Sequence, residues 1–226
     1  MRAQDTVAPT PPGASTQVVE VKQVKNPAMM PYRQAYDLLS KVNDGRAHHL
    51  NTIFRVTSPQ SHVAISGLSI EIVGENTHLK VPVSASGLVD LPVNLAAVTD
   101  DADIIANKPK TDLEVHFFIV PDLPAGRISY AELADSVLAA RSALGRVVPW
   151  YARLLMSSIN GIGLCYPEDG HKVSIEGTPE KTRAAREPVQ NAVGNKVFCA
   201  KFSASEALAQ RTGVAAPDLG WEAVFW

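Results

Sequence analysis

The chain has 226 residues, of which 46% are hydrophobic and 19% charged, enough apolar material to build a core and too much for wholesale disorder. Lys+Arg is 21 against Asp+Glu 23, a formal net charge of -2, so no global positive field gathers nucleic acid or anionic lipid. Two cysteines are too few for a disulfide-dense scaffold or an all-thiolate zinc site.

No stretch approaches the roughly 20 apolar residues that span a bilayer. Residues 1–17, MRAQDTVAPTPPGASTQ, are small, polar and proline-rich (Pro9, Pro11, Pro12) and predict a disordered leader. This is the composition of a tether that follows an export signal, although no signal peptide is written in the chain. The expectation is a periplasmic or secreted protein, with a cytoplasmic one as the alternative.

Val18 to Val24 alternates weakly and predicts a first strand. Pro31 opens a helix on which Tyr32, Ala35, Tyr36, Leu39 and Val42 recur every three or four residues, and Asn43-Asp44-Gly45 stops it. From about 50 to 120 the period becomes two. Ile53 to Val56, His62 to Ile65, Leu68 to Ile72, Leu79 to Val83, Leu88 to Pro92, Ala102 to Ala106 and Leu113 to Val120 read as short strands between Gly/Asn/Ser turns. Leu68, Ile70 and Ile72 share one side. Pro82 and Pro92 cannot donate to a ladder, so those strands lie at an edge or end there.

Pro121–Gly126 breaks the chain and is the plausible linker. Ser129-Tyr130-Ala131-Glu132 has capping-box form and precedes a helix with Leu133, Val137, Leu138, Ala140 and Leu144 on its apolar face, ending near Gly145. A shorter helical piece after Pro149 would use Trp150, Leu154 and Leu155. Residues 162–166 and 171–176 read as a hairpin across Pro167–Gly170, Thr178–Gln190 as an exposed charged loop, and Ala192–Phe202 as a strand. Ser203–Glu206 repeats the capping-box form before a short helix ended by Gly213. Trp221–Trp226 is a last strand with Trp221 and Phe225 on one face.

The fold class is therefore α+β and β-rich: an antiparallel β-sandwich core with about three helices. Residues 18–120 form a β-sandwich domain with one N-terminal helix. Residues 127–226 form an α+β lobe that either shares that core or stands apart. The stretch KVPVSASGLVDLPVNLAAVTDDADIIANKPKTDLEVHF resembles the transthyretin-like sandwich of carboxypeptidase regulatory domains through its strand–turn–strand chemistry, over under a fifth of the chain. That resemblance implies a sandwich and carries no catalytic residue. The chain as a whole is similar to exported bacterial proteins of unknown function.

Chemistry-bearing residues are dispersed. The six histidines stand at 48, 49, 62, 78, 116 and 171, without the i, i+4 pairing of a helical zinc site. Adjacent His48 and His49 diverge on a helix or a strand and read as a solvated pair. His116 shares a strand face with Glu114 and Phe118, which makes a cross-face His–Glu pair. Asp100, Asp101 and Asp103 are the densest carboxylate cluster, but their spacing and the missing turn glycine suit a solvated turn better than calcium. Glu168-Asp169-Gly170-His171 reads as turn chemistry. Lys181, Arg183 and Arg186 form a basic run interrupted by acids, a solvated segment. No serine elbow, phosphate loop or dinucleotide fingerprint is present, and no cofactor is implied. Cys165 and Cys199 each sit in a strand-like segment. They form a disulfide if those strands pair in an oxidising compartment, and are two buried thiols otherwise.

The aromatic C-terminus has three readings: an outer-membrane barrel signal, which the helices argue against, a strand sealing the core, or an exposed aromatic surface docking a protein or glycan. The functional expectation is an exported envelope module that binds or stabilises something. The alternative is a hydrolase assembled from dispersed residues, with His116, Asp101 and His171 as its candidates.

Overall fold

The structure is a computed structural model describing residues 27–43, 50–147, 159–176 and 181–226. The leader 1–17, the strand expected at 18–24, the His48–His49 pair and the helical piece after Pro149 lie outside the described residues.

Among the described residues, four antiparallel sheets and their helices make a β-rich α+β fold. In the first lobe, one sheet runs in the order β1 (Pro27–Pro31), β6 (Asp103–Pro109), β3 (Ile70–Val73), β4 (His78–Val81). Its partner runs β5 (Leu88–Val89), β2 (Leu50–Thr57), β7 (Glu114–Pro121). Ile70, Ile72, Val81 and Ala106 of the former meet Phe54, Val56 and Val89 of the latter in one core. Leu68 packs on it from the strand approach, so Leu68, Ile70 and Ile72 do face inward. The edge strand β4 stops at Val81, immediately before Pro82, and β5 stops short of Pro92. Both prolines thus stand where a missing N–H costs no ladder bond.

Helix α1 (Tyr32–Asn43) closes this sandwich with Tyr32, Ala35, Leu39 and Val42 buried, the face that its spacing predicts. Tyr32 does more than fill space. Its hydroxyl donates to the Pro92 carbonyl and accepts the Asn94 N–H at 2.9 Å, and burial raises its pKa above the usual phenol range. It therefore ties α1 to the chain entering α2 (Leu95–Thr99), a short helix too brief to show a three- and four-residue period. The Asn94 side chain caps α2 by accepting from Ala97 N–H at 3.1 Å.

The second lobe stacks another two sheets. One runs β11 (Lys181–Ala184), β10 (Lys172–Glu176), β14 (Val214–Pro217), β8 (Ile128–Ser129). The other runs β12 (Glu187–Gln190), β13 (Lys196–Ser203), β9 (Gly161–Tyr166), β15 (Glu222–Phe225). Two expectations are corrected here. Residues 162–166 and 171–176 do not form a hairpin: β9 pairs with β13 and β15, while β10 pairs with β11 and β14. The Pro167–Gly170 turn carries the chain from one sheet to the other. The charged stretch within 178–190 is not a loop either. Its described part forms β11 and β12, joined at Ala185, which is fully buried.

Helix α3 (Tyr130–Val147) covers this lobe. Ser129 and Glu132 form the expected capping box: the Glu132 carboxylate accepts from Ser129 N–H at 2.7 Å, and the Ser129 hydroxyl accepts from Glu132 N–H at 3.2 Å. The buried face is Leu133, Ala134, Val137, Ala140 and Ala143, whereas Leu138 is exposed, and the helix runs through Gly145 to Val147. The face is turned toward its alanines because α1 packs there. Val42 and Leu50 meet Ala140 and Ala143 in a third cluster that also takes Phe117, Ile119 and Phe225. Arg146 adds a polar stitch, donating from Nε to the Lys41 carbonyl at 2.7 Å at the C-terminal turn of α1.

Helix α4 (Ala204–Ala209) carries half a capping box. The Ser203 hydroxyl accepts from Glu206 N–H at 3.1 Å, but the Glu206 carboxylate turns away to Arg183. Trp221, just before β15, and Ala223 and Phe225 within it pack on the second core, sealing it with aromatics.

Cys165 and Cys199 stand directly opposite each other on β9 and β13 and form a disulfide with 34 residues of separation. Closing a loop of that length removes unfolded-state freedom amounting to about 3–4 kcal/mol. Gly163 is demanded by this bond: a Cβ there would lie 2.9 Å from Cys199 Cβ and 3.1 Å from Cys165 Sγ.

Replacing Tyr32 by Phe keeps the ring and deletes both hydrogen bonds. The expected loss is about 1–3 kcal/mol in urea unfolding, because the Asn94 N–H and Pro92 carbonyl lose their partner. An unchanged midpoint would show that α1 is not tied through this hydroxyl.

Candidate functional site

The outward face of the β2–β7 pair carries the most chemistry. Antiparallel register places Thr57 opposite Glu114, Arg55 opposite His116, Ile53 opposite Phe118 and Asn51 opposite Val120. Opposed residues share a face, so these eight side chains line one surface, and Phe54, Val56 and Phe117 turn to the core. The surface divides into a polar end and an apolar end.

At the polar end His116 and Glu114 lie two residues apart, the expected cross-face pair, with Nε2 and Oε2 3.3 Å apart. The Thr57 hydroxyl lies 3.3 Å from the same ring nitrogen. A third member arrives from outside the strands. After β2 the chain reverses at 58–63, Ser58 N–H donating to the Val63 carbonyl and His62 N–H to the Ser58 carbonyl. His62 adopts a left-handed backbone (φ 54°), uncommon for a residue with a Cβ. This directs its Nδ1 to Glu114 Oε2 at 2.9 Å. The sequence reading paired His116 with Glu114 and had no signal for His62, which stands 52 residues away from Glu114.

At the apolar end the same face becomes one wall of a cleft between the lobes, with a volume of about 340 Å³. Ile53, Phe118 and Val120 form that wall; Val224 and the Gln190–Ala192 turn form the other. The opposing wall belongs to the disulfide-bearing sheet, where Val224 packs with the buried Cys165, Cys199 and Val197. Phe118 joins the two ends, its ring 6.3 Å from that of His116. Arg55 lies between them and donates from Nε to the Ser86 carbonyl at 3.3 Å.

The other candidates stand elsewhere. Asp100 is a structural clasp. Its carboxylate accepts from the Asn76 N–H at 2.8 Å and from Asn76 Nδ2 at 3.0 Å, holding the β3–β4 turn against the end of α2. Hydrogen bonds from the Thr77 hydroxyl, first, and the Asn76 N–H hold its pKa below the usual carboxylate range. Asp101 occupies a left-handed corner (φ 50°) and Asp103 begins β6. Among the described residues the group able to offer three metal ligands at one point is His62, Glu114 and His116, not the aspartates. His171 stacks flat on Tyr166, ring centroids 4.3 Å apart, with its carbonyl accepting from Ala185 N–H at 2.8 Å. No described hydrogen bond or ion pair joins His116, Asp101 and His171 to one another.

Arg183 is not part of a solvated basic run. Its guanidinium pairs with the Glu206 carboxylate, Nη1 to Oε2 at 3.0 Å, and lies 4.4 Å above the Phe202 ring. The Glu206 hydrogen bonds raise its pKa further, and the pair pins β11 to α4. No described aromatic side chain is among the large exposed apolar residues, which are aliphatic or methionine.

No family model matches the chain, and no curated protein or solved structure is similar enough to count as a match.

The clasp at Asp100 has a pH signature. A carboxylate with a depressed folded pKa contributes stability above the unfolded value, and that contribution is lost as pH falls through the folded value. Asp100→Asn is expected to lower the melting temperature near pH 6 and to converge on the parent only as the pH falls through the folded-state value, which lies under the ordinary carboxylate range. A deficit that persists unchanged in acid would show that the clasp does not depend on charge.

Proposed function

We propose that the protein is an exported module that binds a small, mostly apolar ligand in the interlobe cleft rather than transforming it. The observation that carries this reading is the buried Cys165–Cys199 disulfide behind one wall of that cleft. Such bonds persist in oxidising compartments and are rare where glutathione keeps thiols reduced. The bond cross-links β9 and β13 behind that wall, and a rigid, preformed recess is what ligand binding rewards. The cleft volume falls within the range of small-molecule sites, and its apolar wall of Ile53, Phe118 and Val120 offers contact area without a nucleophile or a paired acid and base. The resemblance of residues 80–117 to transthyretin-like sandwiches agrees with a scaffold role. A structural role in the envelope fits the same features if the recess is filled by a neighbouring protein's side chains.

The hydrolase alternative has one observation in its favour, the meeting of His116 with Glu114 and His62. That group lies open to solvent, with His62 about two-thirds exposed, and Asp101 and His171 do not join it.

Two measurements test the proposal. Rapid acid quenching and maleimide trapping in the native cell should find no reactive thiol, in a fraction outside the cytoplasm; two trapped thiols in the cytoplasm would overturn the exported reading. An environment-sensitive apolar dye should bind the purified chain, and Phe118→Glu should abolish its signal while leaving the circular dichroism unchanged. Equal dye binding by parent and variant would remove the cleft as the site.

A further inference from the structure

We infer that His62, Glu114 and His116 form a binding site for a divalent transition-metal ion, with Zn²⁺ the ion its donors suit best. Glu114 Oε2 lies 2.9 Å from His62 Nδ1 and 3.3 Å from His116 Nε2, and all three donor atoms fall within 4.8 Å of one another. A tetrahedral zinc with bonds of 2.0–2.2 Å holds neighbouring donors about 3.3 Å apart, so this triangle needs adjustments of tenths of an ångström at the carboxylate edges and a rotation of the His62 ring. His62 is the most exposed of the three, which leaves room for that rotation.

The local framework supports the arrangement. Glu114 and His116 sit at i and i+2 of one strand and so project from one face as a chelating pair. His62 is held over them by a reversed turn whose two backbone hydrogen bonds are 2.8–2.9 Å, at the cost of a left-handed residue. The buried Thr57 hydroxyl lies 3.3 Å from the same His116 nitrogen, so its hydrogen must turn away when that nitrogen takes the ion. Arg55, opposite His116, is the nearest cationic side chain on the face, and its guanidinium is turned toward the Ser86 carbonyl.

The donor set selects the ion. Two imidazoles and one carboxylate suit borderline metals such as Zn²⁺, Ni²⁺ and Cu²⁺, whereas Ca²⁺ and Mg²⁺ want six or more oxygens. Three protein ligands leave the fourth position to water or to a group from the neighbouring cleft mouth, where Phe118 borders both features. The inference stands apart from the exported reading and from the dye-binding cleft, and either can fail without the other.

Calorimetric titration of the full, metal-stripped chain with Zn²⁺, backed by Co²⁺ absorption as a coordination signature, tests it. The expected result is a one-to-one complex that excess Mg²⁺ and Ca²⁺ do not displace. His62→Ala, Glu114→Gln and His116→Ala should each weaken it by about tenfold or more, since loss of even an outer-shell contact costs 10–100-fold. These side chains are partly or largely exposed, and unchanged circular dichroism checks that the variants fold. His78→Ala, which breaks a separate surface His–Glu pair, and the double variant His48→Ala/His49→Ala should keep the parent affinity. Absence of stoichiometric binding would overturn the site. So would parental affinity in His116→Ala or Glu114→Gln, or binding lost in the His48/His49 double variant.

Discussion

The molecule depends on how closely α1 and α3 approach each other. Each lobe has its own core, and the lobes are joined where Val42 and Leu50 meet Ala140 and Ala143. Alanines on α3 remove the side-chain bulk that would keep the helices apart. The approach then brings Phe117, Ile119 and Phe225 into the same cluster, which sets β7 beside β15. The cleft is what remains between the walls once that spacing is set. Arg146, donating to the end of α1, satisfies a carbonyl that helix geometry leaves without a partner.

Local chemistry was legible in the sequence wherever one segment sufficed. The three- and four-residue spacing of Tyr32, Ala35, Leu39 and Val42 marked the buried face of α1, and Ser129 with Glu132 marked the start of α3. Alternation around Ile70 and Ile72 gave the sandwich, and Pro82 gave the strand end. What failed was pairing. Glycine, proline and aspartate between 167 and 170 are residues that a hairpin and a sheet-to-sheet corner both favour, so turn composition could not choose between them. The strands within 181–190 were hidden by charge, because Arg183 is half-buried through its partner Glu206 rather than through apolarity.

Chemistry that depends on convergence was less legible still. His116 and Glu114 could be placed on one face because they share a strand. His62 joins them only because a tight reversal after Thr57 folds back over the start of β7. Asp100 was visible as part of an acidic cluster, yet its carboxylate is committed to Asn76 and Thr77. Dense charge along the sequence marked a turn being held, and sparse charge brought together marked the richer site.

The corner at Pro167–Gly170 has a consequence for assembly. Because β9 and β10 part company there, neither sheet of the second lobe is drawn from one continuous run of chain. The sheet containing β9 is finished by β15, while β14 and β8 close the other across α3, β9 to β13 and α4. Contacts of such long sequence separation form late and slowly. During synthesis, the first lobe can condense as soon as its strands leave the ribosome, whereas the second must wait, partly open, until β15 has emerged to pair with β9.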